Sequence, residues 1–163
     1  ELDSRVTERG EQLRDTLNNA AIPAEIAPNI ENALWAKLLF VAPVGGVGSV
    51  TRAPIGVIRS QPETRAMLEG AMQEIYKVAT ARGVTLPADA VATALAFVDR
   101  QPAHGTASLY REITEGKPSE IDAWSGAVDR LGREVGVPTP IHTFIYHSLL
   151  PLERRARGLI EFA

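Results

Sequence analysis

The chain has no cysteine among its 163 residues, which excludes disulfides, thiol catalysis and thiolate metal sites. Histidine is scarce, at three. His142 and His147 stand five apart, a spacing that splits them across a helix, and no carboxylate pattern completes a ligand set, so no metal site is expected. The formal net charge of -3 leaves no basic footprint and argues against nucleic acid as a main partner. No run approaches the eighteen or more apolar residues of a membrane span, so no membrane association is expected. The N-terminus lacks a basic region followed by an apolar one, hence no signal peptide is read and a cytoplasmic location is expected. The chain opens on Glu1 without an initiator methionine, as a processed chain or a piece of a longer protein would. What is plentiful is apolar material: 45% hydrophobic residues suffice for a core and exclude wholesale disorder.

Residues 1–28 differ from the rest. Thr7 to Ala20 is polar with apolar points at Leu13 and Leu17, which predicts a surface helix. Ile22-Pro23-Ala-Glu-Ile-Ala27 alternates apolar and polar like a short edge strand. Such a helix-strand pair is a fragment of an α/β unit. From residue 29 to 163 the pattern predicts helices only. The first starts near Ile30 behind Asn29 and is expected to break at Pro43 and the glycines at 45, 46 and 48. Ser60-Gln-Pro62-Glu63 predicts a serine-capped helix that ends at Gly83. Further helices are expected from Asp89 to about Arg100, from Ala107 to Glu115, from Glu120 to Val135, and from a Thr139-Pro140 cap to Gly158. The expected fold is therefore all-α, with six or seven helices.

Three residues stand out chemically. Lys37 is the one charge in the long apolar stretch between Glu31 and Gly48. It either snorkels to water along its stem or is kept because its ammonium acts on something. Ser108 sits at a helix start, where a hydroxyl and free N–H groups can hold an anion; equally, a serine there caps the helix. Glu120 follows Ser119 in the first turn of the next helix, a position that the helix dipole alone would favour. Gly45-Gly-Val-Gly48 follows a helix and lacks the third glycine of a dinucleotide fingerprint, so close helix packing or a bend is its expected role. The basic run Arg154-Arg-Ala-Arg157 lies at a helix end, a solvated place for cations.

Taken together the motifs match a family. Trp35-Ala-Lys37 precedes a Gly-rich stretch and an acidic capped helix. Ser108-Leu-Tyr-Arg-Glu112-Ile-Thr-Glu-Gly116-Lys-Pro-Ser-Glu120-Ile-Asp122 follows, then Gly126 and Gly136-Val-Pro-Thr-Pro140. This order resembles the C-terminal helical domain of ketopantoate reductase (2-dehydropantoate 2-reductase), of the 6-phosphogluconate-dehydrogenase C-terminal-like type. Residues 1–28 resemble the last helix and strand of that family's Rossmann domain, and 29–163 its helical catalytic and substrate domain. The resemblance implies an NADP-dependent oxidoreductase of pantothenate biosynthesis that reduces a 2-oxo acid and is a possible homodimer. The main NADP-binding domain is absent from this chain, which alone would be inactive. It implies Lys37 as the catalytic proton donor, Ser108 as the residue holding the substrate carboxylate, and Glu120 between substrate and cofactor. A lysine half buried among apolar neighbours would give up its proton more readily than one in water.

The match has departures. The family has asparagine four residues after the lysine, and commonly another four further on, to hold the substrate; here stand Val41 and Gly45, and a third such position falls near Ile55. A site that has lost these amides is expected to be less selective for a substrate hydroxyl. A reductase of a different 2-oxo acid, or a non-catalytic helical interaction or dimerisation domain, are the alternative readings.

Overall fold

The computed structural model describes residues 5–162, and every regular element among them is helical. In chain order these are α1 (Glu8–Asn19), α2 (Ile30–Thr51), α3 (Ile55–Ser60), α4 (Pro62–Ala81), α5 (Ala90–Arg100) and α6 (Ser108–Thr114). A π-helical turn (Asp122–Gly126), α7 (Ala127–Glu134) and α8 (Pro140–Ala156) complete the list. The all-α expectation holds. The chain divides into two compact units, one reaching Leu34 and one from Trp35 onward.

In the first unit, the Thr7 hydroxyl caps α1 by accepting from the Gly10 N–H at 3.2 Å. The expected strand at 22–27 does not form. A strand needs a ladder partner, and here the Asn18 side chain takes that place: it donates to the Ala24 carbonyl at 2.9 Å and accepts the Ala24 N–H at 3.0 Å.

The second unit is built on α2, which does not break where the sequence suggested. It runs unbroken for 22 residues through Pro43 and all three glycines. Proline there removes one backbone bond, and each glycine costs roughly 1 kcal/mol of helix propensity. Packing offsets both. Residues 42–49 are all buried, and the glycines lie where other elements cross. A Cβ on Gly45 would stand 2.9 Å from Trp124 Cζ3 and 3.2 Å from Leu109, and one on Gly46 would stand 2.9 Å from Ile145 Cγ2. The buried hydroxyl of Ser49 is satisfied within the helix, donating to the Gly45 carbonyl at 2.7 Å. Contrary to the expectation of no such run, α2 has the length and apolarity of a membrane-crossing helix, with mean hydropathy 1.6. Its apolar residues, Leu39, Val44 and Val47 among them, instead form the core with Leu68, Met72 and Ile75 of α4, Val98 of α5 and Ile145 of α8.

The helix ends carry the remaining corrections. Gln61, not Ser60, occupies the N-cap of α4, because the Ser60 hydroxyl donates back to the Val57 carbonyl in α3. The α4 end follows expectation: Gly83 takes φ +82°, where a side chain would be strained, so the Val84 N–H can reach the Ala79 carbonyl. Thr139 holds the N-cap position of α8, but its hydroxyl makes no capping bond. That helix is capped across the fold by the buried Glu74 of α4, which accepts the N–H groups of Ile141 at 2.8 Å and His142 at 2.9 Å. The end of α5 is likewise closed from outside, by Arg59, whose guanidinium donates to the carbonyls of Val98, Asp99 and Gln101.

Candidate active site

The turn of α2 at Gly45 is where the chemically interesting segments meet. Leu109, which touches it, directly follows Ser108; Trp124, which also touches it, donates its backbone N–H to the Glu120 carbonyl at 3.0 Å. Lys37 lies eight residues earlier on α2, roughly 12 Å along the axis at 1.5 Å per residue. The segments carrying Lys37, Ser108 and Glu120 are therefore gathered around one helix, although these three side chains share no hydrogen bond.

Lys37 is exposed, not half buried as expected. The neighbouring Trp35 and Leu39 take the core-facing side of α2, which leaves Ala36 and Lys37 pointing out. Ser108 is half buried and opens α6 as its first helical residue. Ala107 holds the cap position, so the Ser108 hydroxyl is not used for capping and bonds no described residue.

Glu120 stands in a bend ahead of the π turn instead of inside a first helical turn, and is exposed. The reason lies in its neighbours. Ser119 is buried and donates both its N–H, at 2.9 Å, and its hydroxyl, at 2.6 Å, to Glu153 of α8. Ile121 is fully buried. Asp122 accepts the Tyr146 hydroxyl at 2.7 Å and an Arg130 N–H at 3.0 Å. The Tyr146 hydrogen bond, then Arg130, hold the Asp122 carboxyl below its usual range, while the same bond raises the Tyr146 phenol. With its backbone fixed on both sides to α8, Glu120 is presented outward with its carboxylate uncommitted.

The positions that could hold a substrate by amides offer none: Val41 is half buried, and Gly45 and Ile55 are buried. No cluster able to hold a metal ion occurs among the described residues. His142 is a core residue. Its Nδ1 lies 3.2 Å from Ser125 Oγ and its Nε2 3.1 Å from the Ala71 carbonyl, and burial lowers its pKa to about 4. His147 packs against the Tyr146 ring. Sequence reading missed the buried carboxylates Glu74, Asp129 and Glu153. The donors that hold Glu74 and Glu153 lie mostly 34 to 68 residues away, so only the closer ties, Arg133 to Asp129 and Arg157 to Glu153 at i,i+4, were visible as a pattern.

The family model described as "Ketopantoate reductase PanE/ApbA C terminal" matches residues 29–153. A 2-dehydropantoate 2-reductase of Pyrobaculum aerophilum is 30% identical over 137 residues, covering 84% of this chain and 49% of that protein. The crystal structure of a PanE/ApbA family ketopantoate reductase from Ralstonia eutropha superposes with a TM-score of 0.83 at 29% identity, over 93% of this chain and 50% of that one. A D-mandelate dehydrogenase solved with NADH and anilino(oxo)acetate shares the fold, with a TM-score of 0.81 at 21% identity over 91% of this chain and 62% of its own. The chain spans about half the length of the curated relatives it matches.

Proposed function

The chain belongs to the ketopantoate reductase family, as its C-terminal helical domain, and from that premise we propose that it is the substrate-holding half of an NADPH-dependent 2-oxo acid reductase resembling 2-dehydropantoate 2-reductase. On this reading residues 1–28 end a dinucleotide-binding domain and 29–163 form the catalytic one. The whole would be a cytoplasmic homodimer serving pantothenate biosynthesis.

Hydride arriving at the carbonyl carbon leaves an alkoxide, which needs a proton donor in reach and fixed positive charge during transfer. Lys37 is the donor. Its exposure in this chain fits a residue at the mouth of a cleft that a second domain would close, with the desolvation supplied on closure. Ser108 holds the substrate carboxylate with its uncommitted hydroxyl. The dinucleotide, when bound, supplies the hydride. Glu120 suits a ribose or substrate hydroxyl, being a carboxylate aimed outward from a backbone tied down on both sides. The glycines of α2 are buried inside a helix and form no phosphate cradle, so the described residues hold the cofactor through Glu120 at most.

The observation that carries this reading is the convergence at Gly45 of the Ser108 and Glu120 segments on the helix bearing Lys37. A second reading, a non-catalytic interaction domain, is favoured by Val41, Gly45 and the exposure of Lys37. The assay that separates them is NADPH oxidation by the full-length protein with ketopantoate and related 2-oxo acids. Steady turnover supports the reductase, and its absence with every 2-oxo acid tried supports the interaction domain.

A further inference from the structure

Helix α5 has no charged residue between Asp89, in its N-cap position, and Asp99. Val91, Ala94, Leu95 and Val98 face the core, as in any surface helix, but the other side is not polar. Ala92, Thr93, Ala96 and Phe97 are exposed there. A helix that is apolar all round is ordinarily buried all round. The Phe97 side chain is 43% exposed, and its ring meets Phe40 of α2 edge-on, 4.8 Å between centroids.

Beside this face runs a groove of about 340 Å³, lined by Ala36, Leu39 and Phe40 of α2 and by Ala90, Ala94 and Phe97 of α5. Its ends are oppositely charged, with Asp89 at one and Arg100 at the other. These stand eleven residues apart on α5, about 16 Å along its axis. Neither is in an ion pair among the described residues. Asp89 accepts from the Thr93 hydroxyl at 3.4 Å, and the Arg100 guanidinium lies over the Phe97 ring at 5.8 Å. Asp99, next to Arg100, is taken up by Arg65 at 2.5 and 2.9 Å.

We propose that this face of α5 and its groove form a two-fold interface, and that the occupant is a second copy of this chain. The proposal rests on the homodimer of the reading above and names its surface. An apolar, aromatic face without charge at its centre is what the core of such a contact needs. A two-fold contact also requires a patch that complements itself, and this one does. One face carries both a projecting ring and a groove, and both a negative and a positive end. Laid antiparallel, two α5 helices set Asp89 of each copy against Arg100 of the other. The same register brings Phe97 over Ala92 and Thr93 of the second copy, which are small enough to admit a ring. Lys37 follows Ala36 but does not line the groove; it turns away by about 100° round α2, which leaves it to the substrate side.

The test is sedimentation velocity at micromolar concentration on the full-length protein and on this chain, with circular dichroism to check the fold. Wild type should be a dimer at both lengths. Phe97→Asp and Ala96→Glu should both be monomers of unchanged helix content; Ala96 is exposed, so its variant decides if Phe97→Asp fails to fold. Asp89→Arg and Arg100→Asp each place like charges together at two points and should weaken the dimer about tenfold or more. Mixed one to one, these two variants should associate again, because each offers the charge that the other now lacks, and the double variant should dimerise by itself. A dimer that survives Ala96→Glu overturns this surface and leaves the homodimer reading. Monomeric wild type at both lengths overturns both. A dimer of this chain that is a monomer at full length gives the groove to the upstream part of the protein and overturns the proposal. Charge reversals that stay apart on mixing overturn the antiparallel pairing. NADPH oxidation is read separately, so none of these results touches the reductase reading.

Discussion

Lowering the pH from 7 to 4 should remove roughly 3 kcal/mol of stability through His142 alone. The ring is fully buried between Ser125 and the Ala71 carbonyl, and burial depresses its pKa from 6.5 to about 4. In the folded chain it therefore stays neutral where the unfolded chain is already protonated. Stability from this group is complete above about pH 6.5 and is lost as pH falls towards 4, at about 1.4 kcal/mol per unit. Glu74, whose carboxylate accepts the backbone N–H of His142, acts in the opposite sense. Its pKa is raised by desolvation, so the folded state binds a proton more readily than the unfolded one, which offsets part of the slope in the lower half of that window. The assay is urea unfolding of this chain at half-unit steps from pH 4 to 8, for wild type and His142→Gln. The wild type should lose stability steadily below pH 6.5. The variant, destabilised at pH 7 by the lost fit, should show a slope reduced by about 1 kcal/mol per unit. Identical slopes in the two proteins would refute the claim that a neutral buried ring contributes the acid sensitivity.

Gly45→Ala places a methyl 2.9 Å from Trp124 and 3.2 Å from Leu109; overpacking of this kind costs about 1–3 kcal/mol, read as a lower urea midpoint. An unchanged midpoint would mean that α6 and the π turn are not pressed against α2. This chain alone should bind NADPH weakly or not at all, because its α2 glycines are buried and the reading proposed above gives the cofactor a single contact among the described residues, the exposed Glu120. Calorimetry showing micromolar binding would contradict that assignment.

Much of the fold was legible because helix signals are local. Gly83, Gly116 and the Asp89 start mark ends that the structure keeps. Where reading failed, a distant contact outweighed the local rule. Pro43 and three glycines spell a break in isolation, yet α2 continues because Trp124, Leu109 and Ile145 need a surface without side chains. Thr139 looks like a cap, but Glu74, 67 residues from the Ile141 that it holds, does the capping. The site shows the same division. Lys37, Ser108 and Glu120 were visible as residue types in a family order, and Glu120's outward placement follows from the Glu153 and Tyr146 tethers that no spacing announces. The burial expected of Lys37 was misjudged, because its apolar neighbours in sequence lie on the other side of the helix.

The central claim is that Lys37 delivers the proton in a 2-oxo acid reduction. The most direct measurement is the turnover of the full-length protein with NADPH and its best 2-oxo acid, wild type against Lys37→Ala, with melting temperatures of both. A lost general acid predicts a fall in kcat of about two orders of magnitude or more, with the melting temperature unchanged because Lys37 is exposed. Near-normal turnover in the variant would contradict the account, and so would a collapsed melting temperature.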